Sequence, residues 1–205
     1  MYYSLATDHH MTFVIFKTIP LPCLFPEDNA VVYIDIISGK TINSFIFKKK
    51  CYGVACDGKF LVIGFPRKDN GVFADLEGNQ IRSLKIRGER FAFSDNAIYS
   101  VNENDDEVLC YDLFGKQTWM YPDKVRMPVG IAVDKNKNVY VFSKFNNAIY
   151  SISPNGLNSR ILVDQEEDDL KDFSCMCMSP DSKRLLVCCS SNHAILYNVE
   201  RHRVC

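Results

Sequence analysis

Cys-x-x-Cys does not occur in this 205-residue chain, although it holds 9 cysteines. Thiols at that spacing nucleate most structural zinc sites, so zinc-finger modules are excluded. No apolar run can span a bilayer, because the longest, Met11 to Phe25, is broken by Lys17, Pro20 and Pro22. No basic segment precedes it as a signal peptide requires. An odd number of cysteines without an export signal reads as reduced thiols in the cytosol, so a cytoplasmic location is expected. Neither charge sign is in excess: 24 Lys and Arg against 25 Asp and Glu leave a net charge of -1. Nothing global therefore favours nucleic acid or an anionic membrane, and any such preference must come from a local patch. Long helical periodicity is missing as well.

What the chain does hold is ordinary globular composition, 47% hydrophobic and 24% charged, enough to bury a sizeable core. It also holds a repeat. A short strand closed by aspartate recurs as Ser4-Leu-Ala-Thr-Asp8, Gly53-Val-Ala-Cys-Asp57, Phe91-Ala-Phe-Ser-Asp95 and Gly130-Ile-Ala-Val-Asp134, with a weaker copy at Met176-Cys-Met-Ser-Pro-Asp181. A second marker keeps phase with it: Tyr33-Ile-Asp35, Phe73-Ala-Asp75, Cys110-Tyr-Asp112, Ser151-Ile-Ser153 and Leu196-Tyr-Asn198. Glycine turns follow the first four at Gly39, Gly78, Gly115 and Gly156. The clearest copy runs from Pro128 to Gly156, where Asn138 to Ser143 alternates with Val139 and Val141 on one face and Tyr140 and Phe142 on the other. Four short antiparallel strands in roughly 40 residues is the size of one propeller blade.

The predicted fold is therefore all-β, a single propeller domain over 1–205 with blades near 1–47, 51–86, 90–121, 128–164 and 172–205. Each blade runs A to D from the axis outward. Blade one takes A near Tyr3–Ala6, B near Thr12–Phe16, then a long proline-rich connection, C near Val31–Ile36 and D near Thr41–Phe47. Inner strands converge on the axis and favour small residues such as Gly53, Ala92 and Gly130. Middle strands are covered on both faces, hence runs like Phe60-Leu-Val-Ile63. The aspartate closing each inner strand is expected to accept backbone N–H bonds in its turn. Blade five lacks its outer strand, so an incomplete six-bladed ring, completed by an upstream segment, is expected.

Pro128-Val-Gly-Ile-Ala-Val-Asp134, with Asn138-Val-Tyr-Val141 and Ser153-Pro-Asn-Gly156, resembles the NHL repeat. Asp169-Leu-Lys-Asp172, Ser179-Pro-Asp-Ser-Lys-Arg-Leu-Leu-Val187, Ala194-Ile-Leu-Tyr-Asn-Val199 and Cys110-Tyr-Asp-Leu-Phe-Gly-Lys-Gln-Thr-Trp119 resemble the C-terminal propeller of molluscan tripartite-motif (TRIM) proteins. The resemblance is good over roughly 90–199 and looser before. It implies a six-bladed propeller serving as the recognition end of a RING, B-box and coiled-coil ubiquitin ligase. This chain carries none of those three modules, so it is expected to be non-enzymatic and free of cofactors, with oligomerisation left to upstream segments.

Candidate chemistry is sparse. Cys175 and Cys177 share one side of a strand while Cys188 and Cys189 face opposite ways, with His193 nearest. Buried thiols packing as small hydrophobes account for them, and no third residue orients a Cys–His pair. A lactonase-like, metal-dependent hydrolase would use the channel mouths, where Thr7, Cys56, Ser94 and Val133 fall. His9 and His10 read as exposed polarity. The B–C and D–A connections gather on one face, and there the sequence places Lys48, Lys49, Lys50, Tyr52, Arg67, Lys68, Arg87 and Arg90, with Lys144 and Phe145 from blade four. Glu103 to Glu107 and Glu166 to Asp169 share that face, so basic and acidic arcs are expected. An acidic peptide or a ubiquitination substrate suits the basic arc. RNA is the alternative, disfavoured because only Tyr52 and Phe145 offer stacking surfaces.

Overall fold

The computed structural model describes residues 21–25, 30–35, 38, 40–48, 51–65, 71–94, 96–123, 125–164, 170, 173–179, 181–189 and 193–199. These residues form five small antiparallel sheets, arranged as a propeller-like ring, with no helix among them. No described helix is therefore long and apolar enough to cross a membrane.

The first sheet contains β1 (Leu21–Phe25), β2 (Ala30–Ile34) and β3 (Thr41–Ile46). The second contains β4 (Gly53–Cys56), β5 (Phe60–Gly64), β6 (Gly71–Asp75) and β7 (Gln80–Leu84). In the third are β8 (Arg90–Ser94), β9 (Ala97–Asn102), β10 (Glu107–Asp112) and β11 (Gln117–Met120). The fourth holds β12 (Pro128–Val133), β13 (Val139–Ser143), β14 (Ala148–Ile152) and β15 (Ser159–Val163). The fifth has three described strands, β16 (Phe173–Met178), β17 (Arg184–Cys189) and β18 (His193–Asn198). Each sheet pairs its strands in chain order, and the inner strands β4, β8, β12 and β16 lie successively side by side.

One expectation is corrected in the first sheet. The proline-rich connection contains β1, which pairs with β2 from Leu21 opposite Ile34 to Phe25 opposite Ala30. Proline is tolerated where a strand has a neighbour on one side only, and β2 is the single described partner of β1. The strands expected at Tyr3–Ala6 and Thr12–Phe16 lie outside the described residues.

Period-two alternation sends the two faces of each middle strand to different neighbours. Val139 and Val141 enter the core between the third and fourth sheets with Tyr99 and Val108, while Tyr140 and Phe142 enter the next core with Leu185 and Val187. Blades are thus held by the apolar layers between them rather than by one central core. The turns are built alike. Asp57 accepts the N–H groups of Lys59 and Phe60, both at 2.8 Å. Asp112 accepts those of Phe114 and Lys116 at 2.8 and 2.9 Å in a C–D turn. The Gly115 and Gly156 φ values of 81 and 71 close two such turns in the left-handed region.

These glycines also lock blades together at the rim. A side chain at Gly156 would strike the Trp119 ring of the preceding outer strand at 2.6 Å, and Trp119 Nε1 donates to the Pro154 carbonyl at 3.1 Å. At the inner radius, Phe173 lies on Gly130 and stacks on Phe142 with centroids 4.3 Å apart.

The Asp75 carboxyl is held below the usual carboxylate range, first by the Asn79 side-chain amide and then by backbone N–H groups. A carboxyl depressed in the folded state contributes stability above its unfolded pKa, about 4, that is lost as pH falls through the folded value. Thermal unfolding over an acid series is expected to show a shallower acid loss in Asn79→Ala than in the parent chain. Identical profiles would remove this bond from the account.

Candidate functional site

In an antiparallel sheet of order A to D, the A–B and C–D turns meet one face of the ring, and the B–C and D–A connections meet the other. Of the ten residues expected on the second face, Lys49, Lys50, Arg67 and Lys68 lie outside the described residues. Lys48 is exposed after β3. Tyr52 is half-buried and donates its backbone N–H to Gly64 at 2.9 Å.

Arg87 and Arg90 are drawn into the fold. Arg87 Nη1 lies 3.3 Å from Glu107 Oε2, its backbone N–H donates to Tyr111 Oη at 3.1 Å, and its carbonyl accepts Ser100 Oγ at 2.6 Å. Burial pushes the Tyr111 hydroxyl up, so it stays protonated at neutral pH. Arg90 opens the inner strand β8, and Nη1 reaches the Tyr52 carbonyl at 3.5 Å. Glu89 accepts the Glu103 N–H at 3.0 Å and the Asn104 amide at 3.2 Å. Acidic and basic groups therefore alternate around blade three. The two separate charge arcs expected from loop order do not describe this part of the face.

Blade four presents the more open surface. Lys144 is exposed, and Phe145 is 55% exposed beside the Arg126 guanidinium, 3.7 Å from the ring centroid. Three bonds fix this corner. Ser143 Oγ donates to the Arg126 carbonyl at 2.6 Å, Lys144 N–H to Met127 at 2.9 Å, and Met127 N–H to Asp106 Oδ1 at 2.8 Å. The last bond ties the corner to a hollow of about 350 Å³ lined by Arg87, Asp105, Asp106, Glu107, Tyr121 and Asp123. Sequence reasoning missed Arg126, and it placed Asp106 on this face only as part of the acidic run Glu103 to Glu107. The signal lay in Ser100 and Ser143, fully buried serines in otherwise apolar middle strands, whose hydroxyls each seize a D–A carbonyl.

The opposite face opens into an axial cavity of about 680 Å³, walled by β4, β8, β12 and β16. Cys56, Ser94 and Val133 line it as expected for the channel mouth, with Lys59, Lys135 and Lys137 at its edge; Thr7 lies outside the described residues. Burial pushes the Cys56 thiol up to about 11 and the Cys177 thiol to about 12, which keeps both protonated and poorly nucleophilic at neutral pH. Asp57 and Asp134 spend their carboxylates on turn N–H groups. Among the described residues no three His, Cys, Asp or Glu side chains converge as metal ligands.

Small antiparallel sheets, four of them set side by side through β4, β8, β12 and β16, define an all-β, propeller-like protein. Among solved structures the chain is similar to Kluyvelomyces marxianus Hsv2, at 13% identity and a TM-score of 0.58, covering 93% of this chain and 62% of that one. It is also similar to the computationally designed Ika4 protein, at 13% identity and a TM-score of 0.55, covering 75% of this chain and 94% of that one. Likeness at such identity concerns the fold alone. No family model matches the chain, and no curated protein matches it.

Proposed function

We propose that the chain is a non-catalytic recognition module that binds a protein partner on its B–C and D–A face. The observation that carries this is Phe145, a half-exposed aromatic ring under a guanidinium, held on a corner cross-braced to the neighbouring blade. Exposed aromatic and arginine side chains on a rigid base are what binding hot spots are made of. Lys144 and Arg126 offer charge to an acidic peptide. Phe145 offers one exposed ring at this corner, where single-stranded RNA stacks successive bases on several, which favours protein over RNA. The finer reading is an NHL-type propeller at the recognition end of a TRIM-type ubiquitin ligase, acting in the cytoplasm. Its NHL part rests on the motifs at Pro128–Asp134, Asn138–Val141 and Ser153–Gly156, and its TRIM part on those at Cys110–Trp119, Asp169–Asp172, Ser179–Val187 and Ala194–Val199.

A photo-crosslinking residue at position 145, used in cell lysate, is expected to give discrete adducts that resist ribonuclease. Charge reversal by Lys144→Glu with Arg126→Glu is expected to lower them about tenfold. Adducts that disappear with ribonuclease would turn the reading to RNA. Adducts no stronger than those from the exposed outer-strand position 81 would overturn recognition at this face altogether.

A further inference from the structure

Two thiols face each other across the fifth sheet. Cys175 of β16 is directly opposite Cys188 of β17, so both project from the same side of the sheet. Both are partly exposed. Directly opposed residues have Cα atoms roughly 4.5–5.5 Å apart, within the range that a disulfide spans. Cys189 is buried on the other side, opposite Phe173. Cys51, Cys56 and Cys110 are buried too, and burial raises each of those thiols.

The surroundings of the pair differ from those of the buried thiols. The neighbouring Cys175 thiol pushes the Cys188 thiol down, toward the thiolate. The Arg90 guanidinium, held on the Tyr52 carbonyl, lends Cys175 a favourable positive field. An accessible thiolate, a resolving thiol opposite it and a fixed cation are the parts that redox-responsive cysteine pairs need.

We propose that Cys175 and Cys188 form an oxidisable dithiol that closes into a reversible cross-strand disulfide on reaction with hydrogen peroxide or a related hydroperoxide. The Cys188 thiolate attacks one peroxide oxygen. An S–O bond forms, the O–O bond breaks, and the departing hydroxide takes a proton and leaves as water. Cys188 is then a sulfenic acid. The Cys175 sulfur attacks it, the S–S bond forms, the S–O bond breaks, and a second water departs with the Cys175 proton. Two thiols lose two electrons in total and the peroxide gains them. The Ser179 N–H to Arg184 carbonyl bond at 2.8 Å sets the hydrogen-bonding parity of these strands, and counting from it places the cysteines at a hydrogen-bonded position. A bridge between two partly exposed cysteines is of the easily reduced kind. The site stands apart from the loop-face reading above and does not depend on it.

The test treats the reduced full chain with stoichiometric hydrogen peroxide, blocks the remaining thiols with N-ethylmaleimide, and maps peptides without reduction. One linkage, Cys175 to Cys188, is expected, with loss of two hydrogens and full reversal by dithiothreitol. Cys188→Ser should abolish it. Arg90→Gln should slow closure on the order of fivefold, and Arg90→Lys should restore the rate. A bridge from Cys188 to Cys177 or to any other cysteine, a sulfinic acid at Cys188 without a bridge, or no oxidation would each overturn the proposal. Should Cys188→Ser fail to fold, the parent map and the Arg90 pair still decide.

Discussion

Phe91→Ala is expected to lower the free energy of unfolding by about 3–5 kcal/mol, read from urea denaturation. Phe91 is 3% exposed, and its ring crosses from β8 onto the preceding blade, where Gly53 and Gly64 leave room for it. A Cβ built on Gly53 would meet the ring at 2.7 Å, and one on Gly64 would overlap it outright. Removing the ring therefore empties space on two strands at once. The converse change, Gly64→Ala, should cost about 1–3 kcal/mol by overpacking. In the Phe91→Ala background that cost should largely vanish, because the clash has no second partner. Simple additivity of the two substitutions would show that the wedge does not couple these blades.

The second large effect is expected at Asp134. Its carboxylate is 4% exposed and takes four hydrogen bonds: the N–H groups of Asn136 and Asn138 at 2.8 and 2.9 Å, the Asn138 amide at 2.8 Å and Tyr140 Oη at 3.3 Å. Asp134→Ala leaves those donors without an acceptor, including a tyrosine hydroxyl that burial has already pushed up to about 12. The loss should be about 3 kcal/mol, since bonds to a buried charge are costly to leave unmade. Asp112→Ala, the same turn chemistry at a more open site, should cost about 1 kcal/mol. Thermal melts of the two variants compare them directly, and equal losses would mean that burial adds nothing.

Asp134 was legible in the sequence because its role is local. An aspartate four residues before an asparagine turn can reach only the nearby N–H groups, wherever the strand lies in space. The alternation in Asn138 to Ser143 was legible for the same reason, and it sent Val141 and Phe142 to different cores as read. Gly53 shows the limit. Its small size was attributed to crowding at the axis, whereas the structure fills its missing side chain with a ring 38 positions along the chain. The strand at Leu21–Phe25 was hidden by its proline, a residue that breaks a central strand but is tolerated in β1, whose single partner among the described residues is β2. Charge placement failed most plainly at Arg87. Loop order brings it to the right end of the ring but does not reveal that Glu107, on the next blade, waits 3.3 Å away.

Blades two and three touch twice, through the Phe91 wedge near the axis and the Gly115 turn against Leu84 and Lys85 at the outer strand. Two anchorages at different radii forbid the swivel that either one alone would permit. The connecting segments are thereby carried on a stiff frame whose spacing is settled before anything arrives, so a visiting molecule gives up little entropy in ordering its host.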